Sequence, residues 1–191
     1  MTRIPTNLPN SITALRILGA VLLFFTVPCS TPFYVLLTLC GLTDVLDGAV
    51  ARATGTVSPL GARLDSIADL VFYGVMLVRL LPLLWQKLPR ELWLGVGGLV
   101  LLRLAAYGVA AVKYRRFAAL HTWLNKLTGL LVFLLPYLLW SSLLPAYCLA
   151  LEGAAGLAVL EELAIHLTRS RYRPDVRTIF RRETRKDGDT L

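Results

Sequence analysis

Four aspartates, Asp44, Asp47, Asp65 and Asp69, stand close together in otherwise strongly apolar sequence. A carboxylate in hydrocarbon is costly, so an intramembrane acid marks a functional site by default. Asp44 and Asp47 are three residues apart, and Asp65 and Asp69 four. Those spacings put each pair on one face of a helix. Two antiparallel helices joined by a short loop bring the two faces together. The hard divalent cations Mg²⁺ and Mn²⁺ take such oxygen ligands. Four negative charges suit two ions better than one. A pair of ions can clamp the attacking and the leaving oxygen of a phosphoryl displacement. The stretch therefore points to chemistry on a phosphate group at a membrane.

The neighbouring residues agree with that chemistry. Gly48 and Gly61 remove side chains where a bulky ligand must approach backbone. Arg52 lies five residues beyond Asp47, near enough for its planar fork to reach a phosphate. Ser58, in the intervening loop, can donate to a phosphate oxygen. Structural ion pairing of the acids with Arg52, Arg63, Arg79 and Arg103 is the plainer account, but it predicts neither the spacing nor the glycines.

The elements that must position these residues are helices that cross a bilayer. The 191-residue chain is 56% hydrophobic and only 17% charged, with a mean hydropathy of +0.64. That is the composition of an integral membrane protein, with room for one membrane domain. Six apolar segments run at 13–28, 33–53, 63–84, 92–113, 121–140 and 143–166, each near the roughly 20 residues that a spanning helix needs. The sequence thus predicts an all-α, polytopic protein with six transmembrane helices. Residues 1–167 form the catalytic membrane domain, 1–12 being a short interfacial lead-in, and 168–191 a basic tail. With the N-terminus inside, Arg3, Arg52, Arg63, Lys113, Arg115, Arg116 and the tail fall on the cytoplasmic side, and only Lys87 and Arg90 outside. Both termini are therefore expected in the cytoplasm. Anionic lipid and this loop bias account for the net charge of +8 without nucleic acid. Cys29, Cys40 and Cys148 lack the spacing of a zinc site or disulfide framework.

The run from Asp44 to Asp69 reads D-x-x-D-G-x-x-A-R-x8-G-x-x-x-D-x-x-x-D, filled by Asp44, Asp47, Gly48, Ala51, Arg52, Gly61, Asp65 and Asp69. It resembles the signature of the CDP-alcohol phosphotransferases, and the six-helix reading is similar to that family's fold. The resemblance implies transfer of the phosphatidyl group of CDP-diacylglycerol to a small polar alcohol, with release of CMP, by a homodimer in a bacterial-type cell membrane. By resemblance, Asp44, Asp47 and Asp65 are metal ligands. Asp69 is both ligand and general base, taking the proton of the acceptor hydroxyl. Gly48, Arg52, Ser58 and Gly61 hold the CDP part.

The opening N7-L-P-N10-S-I-T13-A-L-R16 also resembles family members, especially those that make phosphatidylglycerol phosphate. Asn10 and Thr13 either contact the nucleotide or cap the first helix. In K113-Y-R115-R116 to N125-K126, Lys126 looks like the lysine of a Gly-Lys pair in relatives with phosphorylated acceptors, although Asn125 replaces the glycine. Lys126 and Arg116 are thus candidate acceptor-phosphate contacts, with positive-inside charge as the alternative. Mid-span Arg103 and Glu152 either pair with each other as a structural ion pair, or Arg103 faces the cavity and the acceptor phosphate; the cavity is favoured for Arg103 and a structural role for Glu152. Glu161 and Glu162, near the cytoplasmic exit, are expected to be solvated, and His121 interfacial.

Glycerol 3-phosphate is the favoured acceptor, on the N-terminal motif, Arg16 and Lys126. Leu70 replaces the lysine that follows the last aspartate in the glycerol-phosphate branch, and L64-D65-S66-I-A68-D69 resembles the serine branch. Serine and inositol phosphate therefore stay open. A cation transporter or a non-catalytic scaffold explains fewer of the residues.

Overall fold

The computed structural model describes residues 8–54, 59–114 and 122–168, with backbone alone at 8–10, 47–54, 59–60 and 62–63. Among them are six helices and no strand: α1 (Leu8–Phe25), α2 (Thr31–Thr54), α3 (Pro59–Lys87), α4 (Arg90–Tyr114), α5 (Trp123–Leu138) and α6 (Leu144–Thr168). Each of the six apolar segments coincides with one helix. Two helical stretches, Leu64–Lys87 and Arg90–Tyr114, are long and apolar enough to cross a membrane by length and composition.

α1 begins five residues ahead of the first apolar segment, because proline is tolerated in a first helical turn and Pro9 sits there. Asn10 and Thr13 therefore lie inside the helix. Neither is its cap, which corrects one of the two readings of those residues.

The chain divides into two compact units, residues 1–87 and 88–191. In the first, α2 and α3 both pack on α1. The buried face of α1 is Thr13, Arg16, Ala20 and Leu23, a three–four–three spacing that forms one stripe. Phe33, Leu37 and Cys40 are buried on α2, and Ala68, Phe72, Met76 and Leu80 on α3, again at helical intervals. The outward faces stay apolar, with Leu15, Leu18, Leu22 and Phe25 exposed on α1.

The connections are closed by local hydrogen bonds. Ser30 caps α2, its Oγ accepting from the Phe33 backbone N–H at 3.3 Å. Cys29, with φ of 62°, makes the left-handed step of the α1–α2 turn. Arg79 of α3 donates to the Thr26 carbonyl and lies over the Phe24 ring, so the carbonyl end of α1 is met by a cation.

In the second unit α6 is central, packing on both α4 and α5. Its face of Ala158, Val159, Glu162, Ile165 and His166 is buried. Thr122 caps α5, accepting from the Asn125 N–H at 3.2 Å. Tyr147 donates to the Leu131 carbonyl at 2.6 Å and ties α6 to α5. Lys113 of α4 donates to the carbonyls of His166 at 2.6 Å and Leu167 at 3.0 Å, closing the C-terminal end of α6.

Gly19 sets how closely α1 approaches α2. A Cβ at this position would stand 2.8 Å from Cys40 Sγ, so in Gly19→Ala either the thiol or the helix must shift. We expect a loss of about 1–3 kcal/mol, the usual scale of overpacking. Cys40→Ala in the same chain should recover most of it, as read by thermal melting in detergent.

Candidate active site

The site is assembled on the α1 stripe. Arg16 sits in its middle with a side chain only 1% exposed. A buried guanidinium needs partners, and α1 carries no acid to pair with it. Arg16 Nη1 donates to Oδ1 of Asp44 on α2 and, at 2.9 Å, to Oδ1 of Asp69 on α3. Nη2 donates to Oδ1 of Asp65 at 2.7 Å. One side chain of α1 thus draws together carboxylates from both helices packed against it.

The three aspartates present one ligand atom each, all within 4.8 Å of one another. At that spacing two carboxylates repel by about 1–3 kcal/mol, depending on how far water screens them. The three carboxylates outnumber the guanidinium that joins them. The carboxylates are 47–48% exposed while Arg16 is buried. The guanidinium therefore forms the floor of the cluster, and the open side belongs to the acids. Each carboxylate has about four lone-pair directions, so a bond to Arg16 does not exhaust it. An all-oxygen, anionic donor set of this size fits Mg²⁺ or Mn²⁺.

Asp47 lies on α2 three residues after Asp44, the spacing of one helix face, with its side chain outside the description. Gly48 and Arg52 are on the same helix, known by backbone alone. Gly61 is in the first turn of α3 and half-buried, whereas Ser58 lies outside the described residues. Thr13, one turn before Arg16, is 4% exposed. Asn10 has no described side chain.

The expected acceptor residues belong to the second unit. Lys126 is exposed on α5, with Nζ 5.2 Å from the centroid of the Trp123 ring. Arg116 and His121 lie outside the described residues. Arg103 pairs with Glu162 rather than with Glu152, at 2.6 Å from Nη1 to Oε2, and its Nε donates to the Tyr107 hydroxyl at 3.0 Å. Glu162 is fully buried, which corrects its expected solvation. It occupies the buried face of α6, and Asn125 also donates to it, at 3.2 Å. The carboxylate of Glu152 lies against the backbone of Gly95, so that a Cβ there would collide with it.

Sequence reasoning missed the role of Arg16, taking it only as a hint about the acceptor. The signal was present: a charge inside an apolar segment with no acid three or four residues away must find its partner on another helix. The burial of Glu162 was legible in the same way, from its place four residues after Ala158 and three before Ile165.

A family model described as CDP-alcohol phosphatidyltransferase matches residues 6–166. The chain is 42% identical over 83 residues to the CDP-diacylglycerol–serine O-phosphatidyltransferase of Methanocaldococcus jannaschii, a match covering 41% of this chain and 39% of that protein. It is 33% identical over 84 residues to the CDP-diacylglycerol–glycerol-3-phosphate 3-phosphatidyltransferase of Rickettsia bellii, covering 41% and 46%. Against the Pseudomonas fluorescens protein of the same description, identity is 31% over 131 residues, 64% of this chain and 67% of that one. The chain thus spans less than half the length of the first two relatives. No solved structure matches it.

The buried pair in the second unit can be tested directly. Glu162→Ala leaves Arg103 without its anion and should cost about 3 kcal/mol, the scale for breaking such a pair. Glu162→Gln keeps an oxygen that accepts from Arg103 and Asn125 and should cost markedly less. Thermal melting of both variants in detergent separates the two outcomes.

Proposed function

The chain belongs to the CDP-alcohol phosphatidyltransferase family, and from that premise we propose that it is an integral membrane enzyme that makes a phospholipid. It moves the phosphatidyl group of CDP-diacylglycerol to a small polar alcohol and releases CMP. The observation that carries this reading is the convergence of Asp44, Asp65 and Asp69 within 4.8 Å, at three of the four acidic positions of the family signature.

In this reading Asp44, Asp47, Asp65 and Asp69 hold Mg²⁺ or Mn²⁺, as two ions. The chemistry such ions supply when bound is compensation of the pyrophosphate charge and stabilisation of the CMP leaving group. Asp69 takes the proton of the acceptor hydroxyl as the new O–P bond forms. The bond from phosphorus to the CMP oxygen breaks, and its electron pair leaves with CMP. Gly48 and Gly61 let the nucleotide approach the backbone, while Arg52 and Ser58 bind its phosphates. Asn10 and Thr13 contact the nucleotide. Lys126 and Arg116 attract the acceptor's phosphate. Arg103 contributes less than they do, because Glu162 already balances its charge.

Six helices cross the bilayer, with both termini in the cytoplasm and the chain paired as a homodimer. The apolar outward faces and the length of α3 and α4 support this placement. Residues 1–167 carry the catalysis, and the basic segment 168–191 lies against anionic headgroups.

Glycerol 3-phosphate is the acceptor we favour, supported by the N-terminal motif and Lys126. A second reading has serine as acceptor, favoured by Leu70 after the last aspartate and by the likeness to the Methanocaldococcus protein. Purified protein with CDP-diacylglycerol and Mg²⁺ or Mn²⁺ should release CMP with one member of a panel of glycerol 3-phosphate, serine and inositol 1-phosphate. No metal-dependent release with any of them would sink the proposal. Asp69→Asn should lower turnover by about 10²–10⁴, the usual worth of a general base, while the protein remains folded. If glycerol 3-phosphate is the acceptor, Lys126→Ala should raise its KM and leave kcat near wild type. An unchanged KM would remove Lys126 from the phosphate site.

A further inference from the structure

Among the described residues, Arg16 is the buried lysine or arginine. It is a full positive charge in the buried stripe of α1, bonded to three carboxylates from two other helices. The same oxygens form the cluster suited to a divalent cation. We propose that Arg16 is a positioning residue for the metal site: a fixed counter-charge that holds the aspartates in their ligating arrangement and sets how tightly the site binds its cation. This rests on the metal-binding reading of Asp44, Asp65 and Asp69.

Three observations carry the inference. First, the guanidinium is the bridge between the helices. Nη1 spans Asp44 of α2 and Asp69 of α3, and Nη2 takes Asp65. Two carboxylate-bearing helices would otherwise repel one another at their acid faces. Second, Arg16 is buried and the carboxylates are half exposed. A cation arriving from solvent meets the acids first, and Arg16 has no route to water. A buried guanidinium stripped of its partners is strongly disfavoured. Arg16 therefore stays beneath the acids when the site is loaded, sharing them through their remaining lone pairs. Third, its neighbours fix it in place. Thr13 and Ala20 flank it on the same buried stripe, and the Cys40 thiol donates to its backbone carbonyl at 3.8 Å.

A fixed positive charge next to a cation site has two effects of opposite sign. It stabilises the metal-free protein by offsetting carboxylate repulsion. It also lowers the affinity for a second positive charge, by Coulomb repulsion at short range. The consequence for the loaded site follows from charge. Four aspartates and two divalent ions cancel, and Arg16 then adds a positive charge beneath the loaded site, beside that of Arg52. Without Arg16 the loaded site carries one positive charge fewer and holds its metal more tightly.

The test is Mn²⁺ binding to the full-length protein in detergent, read by electron paramagnetic resonance of the unbound ion, together with melting in chelator and in saturating Mn²⁺. Arg16→Gln removes the charge and keeps polar hydrogen bonding. We expect it to bind Mn²⁺ at least about tenfold more tightly than wild type, from the Coulomb term alone. It should melt lower than wild type in chelator, and that deficit should shrink in Mn²⁺. Arg16→Lys keeps the charge without the fork. Its Mn²⁺ affinity should stay within about threefold of wild type, since the Coulomb term is retained, while its metal-free melting falls. If Arg16→Gln binds Mn²⁺ no more tightly than wild type, or if its melting deficit is the same with and without metal, the inference is overturned. Should Arg16→Gln fail to fold, Arg16→Lys decides alone: an affinity more than about tenfold from wild type in either direction overturns it, because a retained charge predicts little change. Wild-type protein that binds no Mn²⁺ overturns the metal-site reading and this inference with it.

Discussion

The first unit depends on one buried guanidinium. Arg16 lies in the contact between α1 and its two neighbours and is bonded to acids on both. A charge so placed is tolerable only with partners, and carboxylates so close together are tolerable only with a cation. Each requirement answers the other, so the packing of three helices and the convergence of the site are one arrangement. The glycine one turn after Arg16 serves the same end. Gly19 lets Cys40 of α2 come against α1, which keeps Asp44, one turn further along α2, within reach of the stripe.

The second unit is organised on the same principle with the signs exchanged. There a fully buried acid, Glu162 on the central helix, bonds to Arg103 from α4 and Asn125 from α5, with His166 of its own helix 3.6 Å away. Arg103 is in turn held by the ring and hydroxyl of Tyr107. Glu162 thereby takes up much of the hydrogen-bonding capacity of Arg103. In each unit a charged residue on the helix common to both contacts cross-links the other two. Helix ends are closed alike: Arg79 meets the end of α1, and Lys113 the end of α6.

The six helices were legible in the apolar segments, because a run of about 20 apolar residues between turn signals has few other ways to satisfy its backbone. The convergence of Asp44, Asp65 and Asp69 was legible, because charge in such sequence needs a reason. The beginning of α1 was less so. Pro9 and Asn10 read as a lead-in and cap, yet the backbone of Leu8–Ser11 is already helical, since the first turn of a helix asks little of its residues. Glu162 was misread because nearness to a span end suggested water. Its register on the helix, which decides what it faces, was given less weight than its depth.

What the sequence by itself determined is therefore the inventory: helices, their approximate ends, the acids and their spacing on each helix. These follow from local rules, since period and polarity act along the chain. What only the tertiary structure decided is the pairing: Arg16 with Asp44, Asp65 and Asp69, and Arg103 with Glu162 rather than Glu152. Partners 28 to 59 residues apart are chosen by which helices pack and at what rotation. A buried charge then takes the nearest opposite charge on the facing surface, and no local spacing encodes which one that is.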